Sequence, residues 1–202
     1  MTKIKLCGLR RACDIEYANE LMPEFVGFVF AKKSGRYVGF DEAKKLREKL
    51  KSGIIPVGVF VNELTENIEY LVKKNIIDIA QLHGNEDNEY IKKLYNRVRC
   101  PIIQAFHIET ESDIERANKS VADYVMLDSG GGTGKPFNHL LIRNLKKDFF
   151  LAGGLDSENV YDVILKYKPY AVDASSSLET NGVKDKNKMA AFVNAVRNGG
   201  TK

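Results

Sequence analysis

The sequence predicts an α/β fold, a (β/α)₈ TIM barrel built as a single compact domain over residues 1–202. Three observations predict it: eight short apolar runs, amphipathic stretches between them, and polar residues gathered at one end of the runs. The runs, rich in β-branched or aromatic residues, are Lys3–Cys7, Phe25–Phe30, Pro56–Val61, Ile79–Leu82, Ile102–Phe106, Tyr124–Leu127, Phe149–Ala152 and Ala171–Ala174. Their starts lie 22 to 31 residues apart, so a supersecondary unit repeats although no sequence motif does.

The stretches between the runs carry the helical period. Phe40–Lys51 puts Ala43, Leu46 and Leu50 on one side, and Leu64–Lys74 does so with Leu64, Ile68, Leu71 and Val72. Asn88–Val98, Val160–Tyr167 and Lys188–Val196 read similarly, and Cys13 falls in a further helix. Asp41, Thr65, Asp87, Ser112 and Ser157 are candidate N-caps. Strands alternating with helices give βαβ units and a parallel sheet, and eight such units close a barrel. An open doubly wound sheet of five or six strands is the alternative, if two runs are not strands.

Composition bounds the function. Hydrophobic residues make up 44% and charged residues 29% of the chain, the balance of an ordinary globule. Phe25–Ala31 and Ile54–Val61, the longest apolar runs, fall far short of the ~20 residues that span a membrane. The amino-terminal residues lack an apolar signal core. Three scattered cysteines make no disulfide scaffold, and no CxxC or Cys/His cluster has zinc spacing. The expected setting is a reducing cytoplasm, with neither a membrane nor a nucleic acid as partner. A net charge of +4, spread along the chain, favours an anionic small molecule over nucleic acid. The dinucleotide fingerprint GxGxxG is absent. The Asp128–Lys135 glycine segment fails the phosphate-loop pattern because Pro136 follows the lysine.

In a barrel the active site forms at the carboxyl ends of the strands. The residues there are Cys7 after run one, Ser34-Gly35-Arg36 after run two, Asn62 after run three and Gln81 to Gly84 around the end of run four. Gln104 closes run five, Asp128 ends run six, Gly153-Gly154 follow run seven, and Asp173 to Ser177 surround the end of run eight. Each has an ordinary reading when taken alone: a small buried thiol, a turn aspartate, a solvated loop cation. Cys13 and Cys100 read as structural, and His107 and His139 as surface residues. Gly153, Gly154, Ser175 and Ser176 read together as a phosphate cradle of backbone N–H groups and hydroxyls.

In order and spacing these motifs resemble the phosphoribosylanthranilate isomerase family of tryptophan biosynthesis. The matching motifs are Lys5-Leu6-Cys7-Gly8-Leu9, Phe28-Val29-Phe30 with Ser34-Gly35-Arg36-Tyr37-Val38, Gly58 to Asn62, and Gln81-Leu82-His83-Gly84. They continue with Leu127-Asp128-Ser129, the Gly132 to Lys135 loop, Leu151 to Leu155, Asp173 to Ser176, and Gly182-Val183-Lys184-Asp185 with Lys188. The resemblance spans Ile4 to about Phe192. It implies the Amadori rearrangement of N-(5-phospho-β-D-ribosyl)anthranilate to 1-(2-carboxyphenylamino)-1-deoxy-D-ribulose 5-phosphate, with no cofactor and no metal. It implies Cys7 as general base, Asp128 as general acid and Arg36 as anchor of the anthranilate carboxylate. His83, Gly153, Gly154, Ser175 and Ser176 complete the expected substrate-binding set. A monomer or a homodimer is expected.

The sequence departs from the family pattern in three places. Gly35 replaces a common proline, which predicts a looser loop before Arg36. Ser177 stands where glycine is usual, which puts the phosphate-loop geometry in question, since serine takes a positive φ less easily. Asn138-His139 replace a common Asp-Trp. Two other readings compete: another phosphosugar barrel, which would want paired carboxylates or metal-binding histidines, and a non-catalytic phosphate-binding barrel.

Overall fold

The computed structural model describes residues 1–128 and 139–199. Eight parallel strands close into a barrel in chain order: β1 (Lys3–Cys7), β2 (Phe25–Val29), β3 (Ile55–Phe60), β4 (Ile79–Leu82), β5 (Ile102–His107), β6 (Tyr124–Asp128), β7 (Phe149–Ala152) and β8 (Ala171–Ala174). Every apolar run is a strand, so the open-sheet alternative is excluded. The barrel closes where β8 pairs with β1, Lys5 opposite Asp173.

Side-chain alternation divides each strand between two cores. The outward residues, among them Ile4, Leu6, Phe28, Phe60, Leu82, Leu127 and Val172, form one buried cluster with the helices. The inward residues Phe25, Val57, Ile79, Ile103, Met126, Phe150 and Ala171 fill the barrel. Cys7, Val29 and Val59 form a small cluster of their own.

Helices α1 (Ala12–Leu21), α2 (Phe40–Lys49), α3 (Thr65–Lys73), α4 (Asn88–Tyr95), α5 (Glu111–Lys119), α6 (Val160–Tyr167) and α7 (Lys186–Asn198) surround the sheet. Pairs three apart are buried against it: Ala43 and Leu46, Ile68 and Leu71, Ile91 and Leu94, Ile114 and Ala117. Of the candidate caps, Asp87 accepts from the Tyr90 N–H. The others are displaced. Gly39 and Leu64 take the positions before α2 and α3. Thr110 closes a reciprocal capping box with Asp113, which moves the start of α5 ahead of Ser112. Asp156, not Ser157, accepts the Glu158 and Asn159 N–H groups before α6. After β6 the described chain resumes in a 3₁₀ turn, His139–Asn144. Gly132 to Lys135, Pro136 and Asn138 lie outside the described residues, as does the His139 side chain.

Beyond β8 a 3₁₀ turn (Ser176–Leu178) leads into a two-stranded hairpin, β9 (Glu179–Thr180) and β10 (Val183–Lys184). No apolar run announces this hairpin. It places two charged residues over the mouth of the barrel.

Candidate active site

A cavity of about 300 Å³ opens at the carboxyl ends of the strands. All eight expected site residues line it: Cys7, Arg36, His83, Asp128, Gly153, Gly154, Ser175 and Ser176. Its wall is completed by apolar side chains, including Val29, Val59 and Ala152, and by the inward-facing Gln81 and Asp173.

Cys7 ends β1 with its side chain turned inward and buried. Burial pushes its thiol above the ordinary value, and the Lys5 ammonium is the largest opposing influence. Lys5, two residues earlier on the same face, is fully buried and donates to Asp173 Oδ1 at 2.8 Å. This pair spans the closing seam of the barrel.

Arg36 reaches the cavity from the β2–α2 loop. Its Nε and Nη2 donate to the two oxygens of Glu179 at 2.7 and 2.8 Å, a bidentate clamp that fixes the guanidinium plane. Glu179 is fixed in turn by Lys184, buried on β10, whose Nζ donates to Oε1 at 2.6 Å and to the Ser175 carbonyl at 2.9 Å. Burial works against the Glu179 carboxylate, but donation from Arg36 and Lys184 outweighs it and holds the group below its ordinary pKa. Beside Gly35, which stands in place of proline, the Arg36 N–H donates to the Ser34 hydroxyl at 3.1 Å.

Asp128 ends β6, three strands around the ring from Cys7. Its Oδ2 lies 3.3 Å from His83 Nε2 at the end of β4. Both belong to the mouth of the cavity. Below His83 on the same face of β4, Gln81 is buried with Nε2 3.3 Å from the Met126 sulfur. Its Oε1 has no hydrogen-bond partner among the described residues.

The loops after β7 and β8 form the remaining wall. Gly153 and Gly154 have φ of 92° and 65°, consecutive left-handed residues that a side chain would strain. The Ser175 hydroxyl donates to the Cys7 carbonyl at 3.1 Å and so ties the β8 loop to β1. Ser177 is not among the described residues with positive φ, and its hydroxyl donates to the Leu155 carbonyl. The serine therefore fits this loop without strain and links it to its neighbour. Cys100 is buried, Cys13 lies in α1, and His107 pairs with Glu109 at 3.1 Å on the surface. None of these three lines the cavity.

Sequence reasoning collected the cavity-facing residues and missed their supports, Lys5, Glu179 and Lys184. One signal existed for Lys5: a lysine in the middle of a strand, at an inward position between Ile4 and Leu6. None existed for Arg36–Glu179, which are 143 residues apart.

The family model described as N-(5'phosphoribosyl)anthranilate (PRA) isomerase matches residues 4–195. An N-(5'-phosphoribosyl)anthranilate isomerase of Endomicrobium trichonymphae is 41% identical over 202 residues, covering 98% of this chain and 99% of that protein. The crystal structure of phosphoribosyl anthranilate isomerase from Thermotoga maritima superposes with a TM-score of 0.88 at 33% identity, covering 98% of this chain and all of that one. A further structure of such an isomerase, in complex with reduced 1-(o-carboxyphenylamino)-1-deoxyribulose 5-phosphate, has a TM-score of 0.85 at 30% identity, with 98% and 100% covered.

Proposed function

The chain belongs to the N-(5'-phosphoribosyl)anthranilate isomerase family, an enzyme family of tryptophan biosynthesis, and on that premise we propose that Cys7 is its general base and Asp128 its general acid. The observation that carries the assignment is the placement of a buried thiol and a carboxyl on the wall of one cavity, with cationic and hydrogen-bonding groups between them.

The substrate has two anionic ends and a reactive sugar between them. Arg36 takes the anthranilate carboxylate through the guanidinium N–H groups that Glu179 leaves available. Gly154 and Ser176 take the phosphate through backbone N–H groups, with the hydroxyls of Ser175 and Ser176 beside them. The ribose then spans the floor between Cys7 and Asp128.

Asp128, as the carboxylic acid beside His83, gives its proton to the furanose ring oxygen. The bond from that oxygen to C1 breaks, and the nitrogen lone pair forms the protonated Schiff base. This acidifies the C2 proton, which the Cys7 thiolate removes, and the electron pair of the C2–H bond forms the enolamine. Protonation at C1 and loss of the 2-hydroxyl proton give the ketone and restore both groups. Each proton transfer is worth on the order of 10²–10⁴ in rate.

The loss of fluorescence of freshly generated phosphoribosylanthranilate measures the reaction. The wild-type protein accelerates it, and Cys7→Ala and Asp128→Asn each lower kcat by about 10²–10⁴-fold. The assignment is overturned if both variants keep the full rate. The activity itself is overturned if the wild-type protein has no effect.

A further inference from the structure

The position of Lys5 is not explained by packing. Elsewhere in the barrel β3 to β7 turn Val57, Ile79, Ile103, Met126 and Phe150 inward. A buried ion pair contributes little net stability that hydrophobic residues of the same volume would not. What sets this position apart is its neighbour on the same face, the Cys7 sulfur.

The two groups meet at Gly27, which the register places opposite Cys7 on β2. A Cβ at Gly27 would lie 2.6 Å from the Cys7 sulfur and 3.2 Å from Lys5 Nζ. Thiol and ammonium thus converge on the point in the wall that a side chain would occupy, close enough for the charge of the ammonium to act on the sulfur. An ammonium has three donors. One is held by Asp173, which fixes where the other two point.

We propose that Lys5 is the positioning residue of the Cys7 base: its ammonium, oriented by Asp173, holds the sulfur toward the cavity and stabilises the thiolate that removes the C2 proton. The inference rests on the reading of Cys7 as base and adds the group that makes a buried thiol usable. In this step the sulfur alone gains and loses the proton, and Lys5, held above its ordinary pKa, keeps its own. The other charges around the sulfur are Lys184 and Arg36 from the hairpin and the β2–α2 loop. Asp128 and His83 face Asp173 from across the cavity. Burial raises the thiol, Lys5 is the first influence against it, Asp173 raises it again, and Lys184 lowers it. Removing Lys5 therefore moves the thiol further up.

The test uses the full chain carrying Cys13→Ala and Cys100→Ala, so that Cys7 is the sole thiol. Thiolate absorbance near 240 nm is titrated, and kcat and KM are followed against pH. Lys5→Met and the double variant Lys5→Met/Asp173→Asn are compared with the background. The double variant leaves no unpaired charge in the barrel and keeps the volume, so it reports even if the single variant folds poorly. The thiol titration is expected to move up by about one unit or more in Lys5→Met, which cuts the thiolate fraction about tenfold at a given lower pH, and to move up by less in the double variant, which also loses the carboxylate that raises the thiol. kcat falls at least in proportion, its acid limb shifts with the thiol, and KM changes less than about twofold. A thiol titration that stays in place, or a lower kcat with an unshifted profile, overturns the proposal. A wild-type rate in Cys7→Ala overturns the base reading and the proposal with it. The optical titration needs no turnover, so it separates the two failures.

Discussion

Two lysines of β1, Lys3 and Lys5, share a strand and a face, yet the barrel uses them for opposite purposes. Lys3 closes the amino-terminal end. Its Nζ donates to the Tyr170 hydroxyl at 2.6 Å and lies 4.3 Å from the centre of that ring. Tyr170 stacks on Tyr124 at 4.8 Å, and both contact Phe150. Every polar atom in this plug meets a ring or a hydroxyl. Lys5, two positions along, faces a carboxylate and a thiol. Above it stand an unpartnered amide oxygen and a carboxyl–imidazole pair. One end of the barrel is satisfied by itself, whereas the other is arranged for a molecule that arrives.

The sharpest break between the two ends comes at Arg36. Arg36→Lys keeps the charge and loses the bidentate fork, which is expected to cost about 1.5–3 kcal/mol of substrate binding, or about 10–100-fold in KM, with little change in kcat. Steady-state kinetics checks this, and a KM within twofold of wild type would show that the carboxylate sits elsewhere. The clamp behind it has a pH signature. Glu179 is held below its ordinary value of 4.5, so its contribution to stability is present above that pH and is lost as pH falls through the lower folded value. Glu179→Gln should flatten this acid limb in thermal unfolding while leaving the neutral range less affected.

At the opposite end, Lys3→Met should lower stability by about 1–2 kcal/mol through the lost hydrogen bond and cation–π contact. kcat and KM should hold within twofold. A catalytic defect in Lys3→Met would collapse the distinction between the two lysines. The smallest effect is expected at Gln81. Its Oε1, without a partner among the described residues, costs about 1 kcal/mol or somewhat more, so Gln81→Leu should raise the melting temperature while lowering kcat/KM. If stability falls instead, the amide is a packing residue rather than an acceptor held for substrate.

The same contrast explains what could be read from the sequence. The strands were legible because their runs are short, apolar and evenly spaced, and all eight are present within two residues of the expected ends. The cavity-facing residues were legible because the end of a barrel strand is a fixed address. Cap positions were less so: Thr110 with Asp113 and Asp156 with Asn159 compete with nearby serines, and local hydrogen-bond geometry decides among them. The β9–β10 hairpin escaped because two-residue strands carry no period. Lys5 and Glu179 escaped for another reason. Their partners, Asp173 and Arg36, lie 168 and 143 residues away, and each pairing exists only when the ring is closed.

The seam between β1 and β8 has a consequence for the moment at which activity first exists. The opening 36 residues hold the thiol, its lysine and the arginine, whereas Asp173, Ser175, Glu179 and Lys184 come from the last strand and the hairpin beyond it. A growing polypeptide with seven strands therefore has a thiol and a lysine without the carboxylate that faces them, an arginine without its clamp and a floor without its tie. With Cys7 as the proposed base and Arg36 as the proposed anchor, turnover waits for the final join, and isomerase activity would double as a report that the ring has closed.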